Sequence, residues 1–230
     1  MAKNDSKAEK PAMSEGAKSY LILYNSVQLT AWTYLLSRIV SHFLAGKGAE
    51  TLYQENKVLV QVFQNAAILE IFHVMFGLVR SDLMTTVMQV FSRVMLCLGV
   101  LVQSTEAQGC FGITPMLTAW SLSEIVRYSF YTVNLLTGSV PYFITWCRYT
   151  FFYILYPVGV SGELICSYYC LQTLNESKAH YISPEYATYF KYFLVAVMVT
   201  YIPGFPKMYY YMINQRRKVI GGSSSTKKTQ

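Results

Sequence analysis

Charge is what this sequence has least of. Asp, Glu, Lys and Arg make up 13% of its 230 residues, against about a quarter in a soluble domain. Beside 53% hydrophobic residues, that shortage excludes water as the main solvent of the chain. The five cysteines, Cys97, Cys110, Cys147, Cys166 and Cys170, lack metal-ligand spacing and read as small hydrophobes. No internal repeat or pair of broken helices is evident, which speaks against a transporter. The first eighteen residues, MAKNDSKAEKPAMSEGAK, carry too much charge for the apolar core of a signal peptide and are expected to form a disordered tail.

What is present is apolar sequence in blocks of about twenty residues or more, the length a helix needs to cross a bilayer core at 1.5 Å per residue. Six blocks stand out: Ser19 to Leu44, Val58 to Val79, Leu83 to Gln103, Pro115 to Leu136, Tyr149 to Leu174 and Ala187 to Ile213. The expected fold is an all-α, polytopic membrane protein, a bundle of about six transmembrane helices. A tail over 1–18, a six-span domain over 19–213 and a basic tail over 214–230 complete it. In the last block Pro203, Gly204 and Pro206 are expected to kink or end the helix.

The basic residues orient the bundle. With the N-terminus cytosolic, that side carries eleven of them: Lys3, Lys7, Lys10, Lys18, Arg80, Lys207, Arg216, Arg217, Lys218, Lys227 and Lys228. The opposite side carries five, Arg38, Lys47, Lys57, Lys178 and Lys191. An even number of spans places both termini in the cytosol, and the net charge of +7 then reads as positive-inside asymmetry and not as a nucleic-acid footprint. The final KKTQ has lysines third and fourth from the end, which matches a dilysine signal for retrieval to the endoplasmic reticulum. A solvated basic tail is the plainer alternative.

Ionisable groups inside the hydrocarbon region cost about 2.5 to 3.5 kcal/mol each on insertion scales, so each needs a partner or a task. Glu70, His73, Arg93, Glu124 and Arg127 fall roughly 10 to 20 Å from the cytosolic end of their spans, Tyr156 near ~12 Å and Glu163 near ~22 Å. The segments EIFH and EIVR put Glu70 with His73, and Glu124 with Arg127, at i and i+3 on one helix face. These pairs can satisfy each other or Arg93 as a supporting polar layer. Arg148, at a span end, is expected to snorkel toward the headgroups.

Within YILYPVGVSGE, Tyr156 and Glu163 are seven apart, so a 3.6-residue helix returns both to nearly the same face, about 10 Å apart along its axis. Pro157 withholds an N–H, while Gly159 and Gly162 let a substrate or a neighbouring helix approach the backbone. A packing kink accounts for the proline and glycines but not for the carboxylate.

YILYPVGVSGE, together with AWSLSEIVRYSF, AAILEIFHVMFGLVRS and YIPGFPKMYYYM, closely resembles the very-long-chain (3R)-3-hydroxyacyl-CoA dehydratases, the protein-tyrosine-phosphatase-like or Pasticcino family. The likeness runs from Tyr20 to Lys218. It implies a six-span enzyme of the endoplasmic reticulum membrane that dehydrates (3R)-3-hydroxyacyl-CoA to trans-2-enoyl-CoA, the third step of very-long-chain fatty acid elongation. It also implies that the family's catalytic tyrosine and glutamate fall on Tyr156 and Glu163. Implied partners are long-chain and very-long-chain 3-hydroxyacyl-CoA, membrane lipid, and the ketoacyl-CoA synthase, ketoacyl-CoA reductase and enoyl-CoA reductase of the same cycle. Which residue is base and which acid stays open, with Glu163 favoured as base. The chemistry calls for no metal and no organic cofactor. Despite the family's name, none of the five cysteines has an arginine six positions on, so cysteine phosphatase chemistry is disfavoured. A catalytically idle scaffold of the elongation complex is the alternative, and a small transporter a more distant one.

Overall fold

The computed structural model describes residues 13–175 and 180–221, and every structured element there is helical. In chain order these are α1 (Glu15–Leu44), α2 (Ala49–Ala66), α3 (Ile68–Met75), α4 (Leu83–Val94), α5 (Thr105–Gly109), α6 (Ile113–Thr137), α7 (Tyr142–Thr150), α8 (Phe152–Asn175) and α9 (Pro184–Arg216). A π-helical turn over Met95–Leu101 prolongs α4, and another over Arg217–Gly221 prolongs α9. The KKTQ terminus and the sequon at Asn4 lie outside the described residues.

Helix ends follow local chemistry. Ser14 accepts a bond from the Ala17 N–H at 3.3 Å and starts α1 with Glu15 in its first turn, which suits the positive end of the helix dipole. Asp82 caps α4 by accepting from the Thr85 N–H at 2.7 Å and the Thr85 hydroxyl at 2.6 Å. Gly138 closes α6 at φ +70°, donating its N–H to the Asn134 carbonyl at 3.0 Å, a left-handed stop that a side chain would strain.

Several limits differ from the apolar blocks. The first helix starts at Glu15, inside the tail drawn over 1–18, because Ser14 supplies a cap that hydropathy does not register. The second begins at Ala49, well before Val58. Its opening turns are amphipathic, burying Leu52, Tyr53 and Asn56 at helical spacing. The fifth block lies almost wholly in α8, and a separate helix, α7, begins before it at Tyr142. Pro203 and Pro206 do not end α9, which continues to Arg216 and through the π turn into the segment drawn as tail. Proline is tolerated within a membrane helix where other groups satisfy the freed carbonyls. In α8 such a group is visible: Pro157 cannot bond the Tyr153 carbonyl, and the Tyr209 hydroxyl donates to it at 3.4 Å.

Four continuous helical segments, Ala49–Met75, Leu83–Leu101, Phe152–Asn175 and Glu185–Gly221, are long and apolar enough to cross a membrane. The 30-residue α1 and 25-residue α6 are long enough, but Asn25 and Gln28 in one and Glu124 and Arg127 in the other dilute their hydropathy. Each is packed along its length against the other. Along α1 the buried residues Leu21, Asn25, Gln28, Trp32, Leu35, Ile39 and His42 alternate steps of four and three, the stripe of a helix laid along a near-parallel neighbour. That neighbour is α6, which also packs on α8, while α9 leans on α8 at the edge. Outward faces carry Leu23, Val27, Tyr34, Phe72, Met88, Ile154, Val199 and Ile202, an apolar surface far beyond what a soluble monomer exposes. The chain is a polytopic all-α membrane protein.

Where α6 meets α8 the backbones nearly touch. A Cβ at Gly162 would fall 2.6 Å from the Gly112 carbonyl oxygen and 2.8 Å from Met116 Cβ, and one at Gly112 would lie 2.7 Å from Ile165 Cβ. A neighbouring helix thus occupies the space that Gly162 vacates. All five cysteines are buried and unpaired by disulfides, with Cys110 and Cys166 facing each other at 3.5 Å across this seam.

Candidate active site

Glu163 sits on α8 one step past Gly162, and the close approach of α6 shuts it from lipid at 8% exposure. Its two oxygens take bonds from two other helices. Trp120 of α6 donates its indole N–H to Oε1 at 2.8 Å, and Tyr201 of α9 donates its hydroxyl to Oε2 at 2.9 Å. A carboxylate offers about four lone-pair sites, so two remain to accept a proton.

Tyr156, seven residues earlier, faces the same helix as Glu163. Its ring stacks on Phe205 at 5.1 Å with an interplanar angle of 9° and on Tyr209 at 6.4 Å. Tyr201, Phe205 and Tyr209 recur every four residues and form one face of α9. That face touches Tyr156 at one end and Glu163 at the other. Among the described residues the Tyr156 hydroxyl makes no hydrogen bond.

Behind Trp120 lies a chain of charges. The Arg93 guanidinium sits 5.5 Å from the Trp120 ring centre and pairs with Glu124. Arg127 bonds Glu124 at 3.3 Å and also pairs with Glu70. Glu70 accepts from the Tyr128 hydroxyl at 2.7 Å. The supporting layer therefore assembles as Glu70, Arg127, Glu124 and Arg93 across α3, α6 and α4. His73 does not pair with Glu70 despite the i and i+3 spacing. It meets the Tyr20 hydroxyl through Nε2 at 2.9 Å, with the Tyr24 ring edge-on at 4.8 Å. Two aromatic residues of α1 outcompete the local carboxylate, which Arg127 has taken. Arg148 does not reach outward either. It donates to the Tyr131 hydroxyl at 3.0 Å and lies 4.6 Å from the ring centres of both Phe130 and Tyr131, because an aromatic shelf on α6 holds a guanidinium as well as a headgroup would.

The two groups bonded to Glu163 were not singled out from sequence. Trp120 and Tyr201 lie within AWSLSEIVRYSF and YIPGFPKMYYYM, but with 20 tyrosines in the chain no pattern distinguishes Tyr201. A tryptophan four residues before Glu124 and seven before Arg127, on the same helix face, was the signal available for Trp120.

The family model described as protein tyrosine phosphatase-like protein, PTPLA, matches residues 64–222, which contain every group in this constellation except Tyr20 and Tyr24. The chain is 40% identical over 214 residues to very-long-chain (3R)-3-hydroxyacyl-CoA dehydratase hpo-8 of Caenorhabditis elegans, covering 91% of this chain and 98% of that protein. It is 39% identical over 216 residues to very-long-chain (3R)-3-hydroxyacyl-CoA dehydratase 2 of Homo sapiens, covering 92% and 85%. With very-long-chain (3R)-3-hydroxyacyl-CoA dehydratase PASTICCINO 2 of Arabidopsis thaliana it shares 34% identity over 208 residues, covering 89% and 94%. No solved structure matches the chain. With that family model matching well over half of its residues and these relatives 34–40% identical along nearly its whole length, the chain belongs to the protein-tyrosine-phosphatase-like (PTPLA) family.

Proposed function

We infer that this protein is a hydro-lyase that converts (3R)-3-hydroxyacyl-CoA to trans-2-enoyl-CoA, using Glu163 and Tyr156. The carrying observation is that both residues meet one face of α9, through Tyr201 and through Phe205 and Tyr209. The names of the relatives, all dehydratases of this substrate class, support the reaction.

Dehydration breaks the C2–H bond, and its electron pair forms the C2=C3 double bond as the C3–O bond breaks. A poor leaving hydroxyl must be protonated, so a base and an acid flank adjacent carbons. Glu163 takes the C2 proton through a free lone pair, and Tyr156 donates to the departing hydroxyl, which leaves as water. The acyl chain lies among the apolar helices. The CoA phosphates meet the basic end of the bundle, where Arg80, Lys207, Arg217 and Lys218 are exposed and Arg216 is held at Thr150. The substrate is the product class of a ketoacyl-CoA reductase and the product is the substrate class of an enoyl-CoA reductase. On this reading the protein acts after a ketoacyl-CoA synthase and a ketoacyl-CoA reductase in the chain-elongation cycle, and the asymmetry of its basic residues supports a bundle in the endoplasmic reticulum membrane with both termini cytosolic.

Tyr156→Phe and Glu163→Gln are each expected to lower turnover of the purified protein about a hundredfold or more while leaving membrane insertion intact. The assay is enoyl-CoA formation from 3-hydroxyacyl-CoA of several chain lengths. Wild-type turnover in either variant overturns the assignment, and absence of enoyl product from the wild type at every length overturns the reaction.

A further inference from the structure

We propose that Tyr201, with Trp120 as its counterpart, is the positioning residue that sets the Glu163 carboxylate for proton abstraction. The inference rests on the catalytic reading of Glu163. Its ground is geometric. Among the described residues these two side chains are the only hydrogen-bond donors to the Glu163 carboxylate, one on each oxygen, at 2.8 and 2.9 Å. They come from two different helices, α6 and α9, that both pack on α8, so together they fix both the direction and the rotation of the carboxylate plane. Both are neutral, and they orient the group without an ion pair that would quench its basicity.

The two donors are themselves held. Trp120 is 2% exposed and lies against the Arg93 guanidinium at 5.5 Å, which Glu124 anchors. Tyr201 stands one turn from Phe205, whose ring stacks on Tyr156 at 5.1 Å. A single face of α9 therefore holds the base through a hydrogen bond and the acid through a ring stack, and it sets the distance between them. Without the Tyr201 hydroxyl, Oε2 loses its donor and the carboxylate can turn about its last bond. An error of about 1 Å in a reacting group can cost roughly a hundredfold in rate.

The test compares Tyr201→Phe, Trp120→Phe, Glu163→Gln and Tyr156→Phe in purified full-length protein, using a 3-hydroxyacyl-CoA carrying hydrogen or deuterium at C2. Phenylalanine keeps the ring of Tyr201, so the folded fraction and melting temperature should stay at wild-type values. The expected result for Tyr201→Phe is kcat lower by about ten- to a hundredfold, an unchanged KM, and a larger deuterium effect on kcat as proton abstraction becomes limiting. Added to Glu163→Gln, the same change should cost nothing further. Wild-type kcat in Tyr201→Phe with Glu163→Gln inactive overturns the proposal and leaves the catalytic reading standing. Full activity in Glu163→Gln sinks the reading itself. A raised KM with kcat unchanged makes Tyr201 a substrate contact and overturns its positioning role. An inactive Tyr201→Phe beside a fully active Tyr156→Phe makes Tyr201 the acid, which also overturns it.

Discussion

Arg127 shows what a single charge does in this bundle. It pairs with Glu70 and bonds Glu124 at 3.3 Å, so removing it leaves the Glu70 carboxylate with no cation, while Glu124 keeps Arg93. Breaking a buried pair by deleting one partner costs about 3 to 5 kcal/mol. Arg127→Gln is therefore expected to lower the melting temperature and folded yield in detergent, while kcat per folded molecule stays near wild type. Arg93→Gln should in addition reduce kcat, since Arg93 lies against Trp120, which bonds Glu163. Thermal melts and turnover normalised to folded protein separate the two. That Glu163 would need partners was legible at this scale, because a carboxylate in an apolar run requires a partner or a task. Its partners were not, because a hydrogen bond between α8 and α9 leaves no spacing within either segment.

At the scale of elements, the seam between α6 and α8 governs whether the site exists. Gly162→Ala would place a Cβ 2.6 Å from the Gly112 carbonyl oxygen and 2.9 Å from the Met116 backbone nitrogen. Neither is the movable end of a side chain, so the helices must part. Such overpacking costs about 1 to 3 kcal/mol, and it shifts Trp120 from Glu163. Gly162→Ala should therefore lower both stability and kcat. At Gly159 the corresponding Cβ meets only Ala119 Cβ at 3.5 Å, an ordinary contact, and Gly159→Ala should be close to neutral in thermal melts and turnover. The two glycines look alike in sequence, and only the position of α6 distinguishes them. For the same reason hydropathy misjudged the helix limits. It detects an apolar face, whereas Ser14 caps and the amphipathic opening of α2 are polar devices that continue a helix outside an apolar block.

For the whole molecule, the prediction concerns which side faces the cytosol. Native sequons occur at Asn4-Asp5-Ser6 and Asn175-Glu176-Ser177, and only a lumenal sequon acquires glycan. Asn175 ends α8 and is too near the bundle for a clean result, so the test adds sequons to both tails and on a polar insertion between Gly46 and Gly48. The insertion should become sensitive to endoglycosidase and the tails should not. A glycosylated tail with an unmodified insertion inverts the orientation and puts the CoA entrance on the wrong side for a cytosolic substrate.

By itself the sequence determined the solvent, the helical class, and the presence on α8 of a tyrosine and a carboxylate on one face. These follow from composition and from the 3.6-residue period, both properties of a single segment. Tertiary structure alone decided that Glu70 goes to Arg127 and His73 to Tyr20, that Arg148 folds onto Phe130 and Tyr131, and that Trp120 and Tyr201 hold the carboxylate. Periodicity states which face of a helix a residue occupies. It does not state which helix that face will meet, because that choice is made by the fit of whole surfaces, as where Gly112 and Gly162 allow two backbones into contact.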